Sequence, residues 1–218
     1  ERQLLVTPQP LRRRGRGRSH GPQGTNARPR ARPPYARTMA VESTMVPLGT
    51  PMPAFTLPDL TGVVLSSADL AGAPVLVAFV CNHCPYVKHV ETRFGEVVAA
   101  HPELTVVAIC SNDAVGYPDD APAHLAHQAR RAGWEFPYLV DETQEVGRAF
   151  TAACTPDFFL YDAAGTLAYR GAMDDSTPGN GVPVTGELLD DAIKRVLAGE
   201  PVPEPHRPSM GCSIKWRD

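Results

Sequence analysis

The chain has 218 residues, is 43% hydrophobic and carries a formal net charge of −3. That is enough apolar content for one good core, and no apolar run approaches the length of a membrane span. Residues 1–40 hold ten arginines against one glutamate, whereas the remaining 178 hold 11 basic and 23 acidic side chains; an acidic body with a basic tail argues against a specific nucleic-acid or membrane partner for that body.

Residues 1–44 are rich in Arg, Pro and Gly and lack aliphatic periodicity, so they are expected to be disordered. Met39 and Met45 stand just before the patterned region, which makes a mis-assigned start or an inert tail a simpler reading than a phosphate-binding arm. No apolar stretch follows the arginines, and a cytoplasmic location is expected. Short strands are predicted near Ala54–Leu57 and Val63–Leu65, then a helical turn over Ser66–Leu70. The body continues as strand 75–80, helix 83–100, strand 104–110 and helix 119–132, with Asp119 and Asp120 as N-cap and Gly133 as stop. Strand 137–140, a short helix 143–150, and strands 157–161 and 166–170 turning at Ala163–Gly165 follow. A last helix, 186–198, is capped by Thr185 and ended by Gly199. The organisation expected is a domain over 45–199 and a Pro-rich tail over 200–218 without regular structure, delivering Cys212.

Cys81-Asn82-His83-Cys84 lies between the apolar run Val75–Val80 and a helix whose Val87, Val90, Phe94 and Val97 recur on one face. The run lacks alternation, as expected of a strand covered on both sides. Two thiols at a strand-to-helix junction meet the unpaired N–H groups and positive end of a helix, which stabilise a thiolate. Pro85 falls in the first turn, where its missing N–H costs nothing. The competing zinc half-site lacks a second C-x-x-C or an H-x-x-x-H. No metal and no cofactor is expected.

With Thr155-Pro156 ahead of strand Asp157–Tyr161, these features resemble the thioredoxin superfamily, in which that proline is cis and packs against the thiols. Gly49–Leu57, Cys81–Val87, Cys154–Phe159, Arg170–Asp175 and the ending Gly211-Cys-Ser-Ile-Lys-Trp216 resemble a peroxiredoxin-like (AhpC/TSA, redoxin) group within it. The fold this implies is α/β and thioredoxin-like: a central mixed sheet flanked by helices, with an N-terminal strand extension and a strand–helix insertion.

The resemblance implies a thiol–disulfide oxidoreductase acting on protein or small-molecule thiols and disulfides. Cys81 is read as the attacking thiol and Cys84 as the resolving one. His83 biases the thiolate, and Thr155 and Pro156 orient the substrate and prevent metal capture. Cys154, two residues before the proline, and Cys212 are candidate accessory thiols; Cys110 reads as a buried small hydrophobe. Two alternatives stand. One is a weak peroxidase with Cys84 in the peroxidatic position, where Cys81 replaces the usual threonine and Thr155-Pro156 stands where an arginine is expected. The other is a metal-binding module using Cys81 and Cys84 with Cys154 or Cys212.

Overall fold

The computed structural model describes residues 40–217, so the tail expected over residues 1–44 lies outside the description except for its last five residues. Those five include a strand, β1 (Ala40–Glu42). The elements that follow are β2 (Thr56–Pro58), β3 (Val64–Ser66), β4 (Val75–Phe79), α1 (Pro85–Ala99), β5 (Thr105–Cys110), α2 (Pro122–Ala132) and β6 (Tyr138–Val140). They continue with α3 (Glu145–Ala149), β7 (Cys154–Thr155), β8 (Asp157–Tyr161), β9 (Leu167–Gly171), α4 (Glu187–Leu197) and β10 (Met210–Ser213).

The main sheet runs β6-β5-β4-β8-β9. β4 pairs parallel with β5, and β5 with β6, while β8 is antiparallel to β4 and β9 to β8. All five residues of β4 are buried, as the unalternating run predicted. Strand geometry sends successive side chains to opposite faces. Leu76 and Ala78 therefore join Val106, Ala108, Phe158 and Leu160 against the helices carrying Val87, Phe94, Leu125, Leu189 and Ile193. Val75, Val77 and Phe79 join Val107, Ile109, Phe159 and Tyr161 against Phe55, Leu57, Val146, Phe150 and Ile214. The central strand thus has a core on each side and holds its C-terminal end, where the cysteine pair begins, in a fixed place.

Gly133 ends α2 in the left-handed region (φ 69°), as its position in the sequence predicts. Two caps differ from expectation. Asp119 and Asp120 do not cap α2; they lie in a short 3-10 turn, Pro118–Asp120, and Ala121 precedes the helix. Thr185 is not the N-cap of α4 either. Gly186 holds that place (φ 70°), and the buried Asp174 carboxylate accepts the N–H groups of Thr185 and Gly186 at 2.8 and 2.7 Å. Asp174 thus holds the chain entering the helix, while the Thr185 hydroxyl accepts the Glu187 N–H at 3.4 Å.

The larger departure is a second sheet, ordered β1-β10-β7. Residues 200–218 were expected to lack regular structure, yet β10 forms there, because the prolines stop at Pro208 and the next residues have free N–H groups. β10 pairs antiparallel with β1 on one side and β7 on the other, and Cys212 stands opposite Thr155. Gly211 makes this approach feasible: a Cβ on it would lie 2.0 Å from the Thr155 carbonyl oxygen. Ile214 is buried, and Arg148 stacks on the Trp216 ring at 4.5 Å. Among the described residues no helix is long and apolar enough to cross a membrane.

Candidate redox site

β4 delivers Cys81, and α1 begins at Cys84, which is its N-cap residue with Pro85 at the first helical position. The Thr155–Pro156 bond is cis and lies between β7 and β8. It brings Thr155 against both thiols. Cys81 Sγ is 3.3 Å from Thr155 Oγ1, and Cys84 Sγ is 3.1 Å from the Thr155 carbonyl oxygen. From the other side β10 brings Cys212, whose Sγ is 2.8 Å from that of Cys84. Cys81, Cys84 and Cys212 are each fully buried, and all five cysteines are unbonded thiols.

The three sulfurs do not share one environment. Burial opposes ionisation of Cys84. Hydrogen bonds from the Cys212 and Cys81 thiols, with lesser help from the Val87 and Cys212 N–H dipoles, outweigh it and bring Cys84 well below the ordinary thiol range. Burial pushes Cys81 well above that range, and its hydrogen bond to Cys84 and the field of Asp120 push the same way. Cys212 is raised, first by donating to Cys84 and then by burial. These shifts favour ionisation of Cys84 over its two neighbours, while in its thiol form Cys84 donates to the Thr155 carbonyl. The sequence reading places the thiolate on Cys81, whereas these shifts run toward Cys84. Cys84, not Cys81, sits at the start of the helix, and a carboxylate stands behind Cys81.

That carboxylate is the residue the sequence reading missed. Asp120 is 2% exposed. Its Oδ1 accepts the N–H groups of Asn82 and His83 at 2.9 and 3.0 Å, and its Oδ2 accepts Asn112 Nδ2 at 2.8 Å and His83 Nδ1 at 2.5 Å. A carboxylate only accepts, so Nδ1 carries the proton in that contact. His83 consequently braces the loop between the cysteines. Its Nδ1 is 3.8 Å from Cys81 Sγ but closer to Asp120, and its ring stacks on Tyr117 with centroids 5.2 Å apart. The contact through which His83 was expected to bias Cys81 is present, with Nδ1 shared between Cys81 and Asp120. The only signal for Asp120 in the sequence is an acidic pair ahead of a helix, and that has the ordinary meaning of a cap.

Of the remaining thiols, Cys110 is buried at the end of β5 as expected. Cys154 is also buried, with Sγ toward the carbonyls of Pro156 and Ser209 at 3.5 and 4.0 Å, so Cys212 rather than Cys154 meets the pair. Cys81, His83 and Asp120 hold potential ligand atoms within 4.8 Å of one another. Both oxygens of Asp120 already accept two donors each, which makes this trio a hydrogen-bonded brace. Beside Pro156 a cavity of about 260 Å³ is lined by residues including Tyr86, His89, Met173, Arg207 and Met210.

Asp157, directly after the cis-proline, is fully buried, and its Oδ1 has no partner. Burial pushes its carboxyl up to about 7 against a hydrogen bond from the Ala153 N–H. Below about pH 4 the group is neutral in both folded and unfolded chains. As pH rises from about 4 to 7 the unfolded chain ionises first, so stability is lost over that window, by up to about 4 kcal/mol. Urea unfolding at pH 5 and pH 8 should show this loss in the native protein and a flatter profile in Asp157→Asn. Parallel profiles in the two proteins would contradict it.

The AhpC/TSA family model matches residues 48–170. No curated protein matches the chain. An uncharacterized conserved protein from Geobacillus kaustophilus is 47% identical over 82% of this chain and 97% of its own, with a TM-score of 0.79. A hypothetical protein from Sinorhizobium meliloti 1021 is 41% identical over 81% of this chain and 98% of its own, with a TM-score of 0.78. A secreted Mycobacterium tuberculosis disulfide oxidoreductase is 21% identical over 64% of this chain and 94% of its own, with a TM-score of 0.53, a likeness of fold alone. The α/β architecture is thus thioredoxin-like.

Proposed function

Since the chain belongs to the AhpC/TSA family, we propose that it is a thiol–disulfide oxidoreductase whose attacking thiol is Cys84, acting on protein or small-molecule disulfides. The observation that carries this reading is the position of Cys84 as the N-cap residue of α1, where the unpaired N–H groups of the helix start meet its sulfur. A stabilised Cys84 thiolate stabilises the reduced protein, and each pKa unit of that stabilisation, 1.36 kcal/mol, raises the reduction potential by about 30 mV. Equilibration with glutathione buffers should therefore give a potential above the roughly −270 mV of thioredoxin. A value at or below that would remove the reading of an oxidising exchanger. Disulfide-reduction assays with dithiothreitol as donor test turnover directly: a rate no higher than dithiothreitol alone speaks against exchange.

Slow peroxide reduction by Cys84 is a second reading, favoured by the same helix-start placement. Rapid peroxide chemistry needs donors aligned on the peroxide oxygens. The guanidinium of Arg170 is engaged by the Val46 carbonyl, His206 and Glu204, and that of Arg131 by Glu91 and Asn82. Stopped-flow oxidation by hydrogen peroxide should accordingly be slow, about a hundredfold or more below an enzyme with an aligned guanidinium. A rate matching such an enzyme would promote the peroxidase reading.

A further inference from the structure

We propose that Cys212 is a third redox thiol of this site, resolving Cys84 through an intramolecular Cys84–Cys212 disulfide; the proposal rests on the exchange reading above. The two sulfurs, 2.8 Å apart, are already inside contact distance. Three independent features put them there. The register of β10 on β7 sets Cys212 opposite Thr155, whose carbonyl faces Cys84. Gly211 lets the backbones approach more closely than any side chain would allow. Ile214 and Trp216 anchor the chain beyond the strand, Ile214 in the core and Trp216 under Arg148. β10 also occupies the edge of β7, where an incoming extended peptide would otherwise pair.

The Cys84 thiolate attacks one sulfur of a disulfide R–S–S–R′. That S–S bond breaks, R′S⁻ leaves and takes the proton Cys84 had released, and Cys84–S–S–R forms. With Cys84 in the mixed disulfide, the contact with its thiolate that most raises Cys212 is gone; Cys212 gives up its proton and attacks Cys84 Sγ. The Cys84–SR bond breaks, RS⁻ leaves with the proton from Cys212, and the Cys84–Cys212 bond forms. Two protein thiols are oxidised and one disulfide is reduced to two thiols, a transfer of two electrons and two protons. A thiol held in contact outcompetes any thiol in solution because its effective concentration is far higher. Cys81, held as a thiol beside Asp120, is not required for this closure.

The experiment treats the reduced full chain with oxidised glutathione, quenches with an alkylating reagent and maps the peptides. The native protein should yield a linked Cys84–Cys212 pair. Cys81→Ser should still lose two thiols and release its glutathione. Cys81→Ser/Cys212→Ser should stop at glutathione on Cys84, with release slowed about a hundredfold or more. Accumulation of the Cys84–glutathione adduct in Cys81→Ser, with Cys212 alkylated, overturns the proposal and leaves exchange intact. Mapping of the native protein decides the matter even if the variants misfold: a Cys81–Cys84 pair with Cys212 free overturns it. If no thiol takes up glutathione, the exchange reading falls, and this proposal with it.

Discussion

Cys84→Ser is expected to reduce disulfide-exchange turnover at least about a hundredfold, while Cys81→Ser still forms a mixed disulfide on Cys84. The asymmetry follows from how pKa acts on a nucleophilic thiol. Each unit above ambient pH costs tenfold in thiolate and returns only about threefold in intrinsic nucleophilicity. Each unit below it costs the same threefold but no thiolate. Cys81, pushed well above its ordinary value by burial and then by Cys84 and Asp120, loses on this balance against Cys84, which its donors push the other way. The transition state adds to the difference, because negative charge spreads over the three reacting sulfurs. At Cys84 that charge meets the start of a helix, whereas at Cys81 it meets a buried carboxylate. Single-turnover labelling with oxidised glutathione measures this for each variant. An adduct on Cys81 in the native protein, with full activity in Cys84→Ser, would restore the order expected from the sequence.

What the sequence made legible was local. The apolar run ahead of Cys81, the helical stripe after Pro85 and Gly133 as a stop each depend on neighbours within a few residues, and each appears in the structure within a residue or two. Cys81, Cys84, Thr155 and Pro156 were found through a motif and a turn, and the fold brings them together. The misses are contacts across long separations. Asp120 reaches His83 over 37 residues, and Cys212 reaches Cys84 over 128. No periodicity announces such contacts: the acidic pair before a helix has the ordinary meaning of a cap, and Cys212 could be named as a candidate accessory thiol but not placed against Cys84. Chain polarity was a subtler error. The motif reads as two thiols lying at the helix start, but the strand ends at Phe79 and the helix starts at Pro85. That makes the last cysteine the N-cap.

Asp120→Ala should destabilise the protein by about 4 kcal/mol, since it removes one partner from a buried, multiply bonded group. The carboxylate is the common acceptor for four donors: two backbone N–H groups of the cysteine loop, the Asn112 amide and the His83 ring. Its removal leaves those donors beside a hole in a region where Cys81 and Cys84 are fully buried. For a chain of this size the corresponding fall in melting temperature is about 8–16 °C. Asp120→Asn separates charge from bracing. Its amide oxygen still accepts from the loop N–H groups, but the field that disfavours charge on Cys81 is gone. The Cys81 thiol should then titrate at lower pH than in the native protein, and the preference of the negative charge for Cys84 should weaken. Alkylation rates followed against pH, with each site identified by mass, measure both effects. If Asp120→Ala melts with the native protein and Asp120→Asn leaves both thiols titrating as before, Asp120 neither holds the loop nor sorts the two sulfurs. The lowering of Cys84 would then be owed to its thiol neighbours Cys212 and Cys81 and the helix terminus, without Asp120.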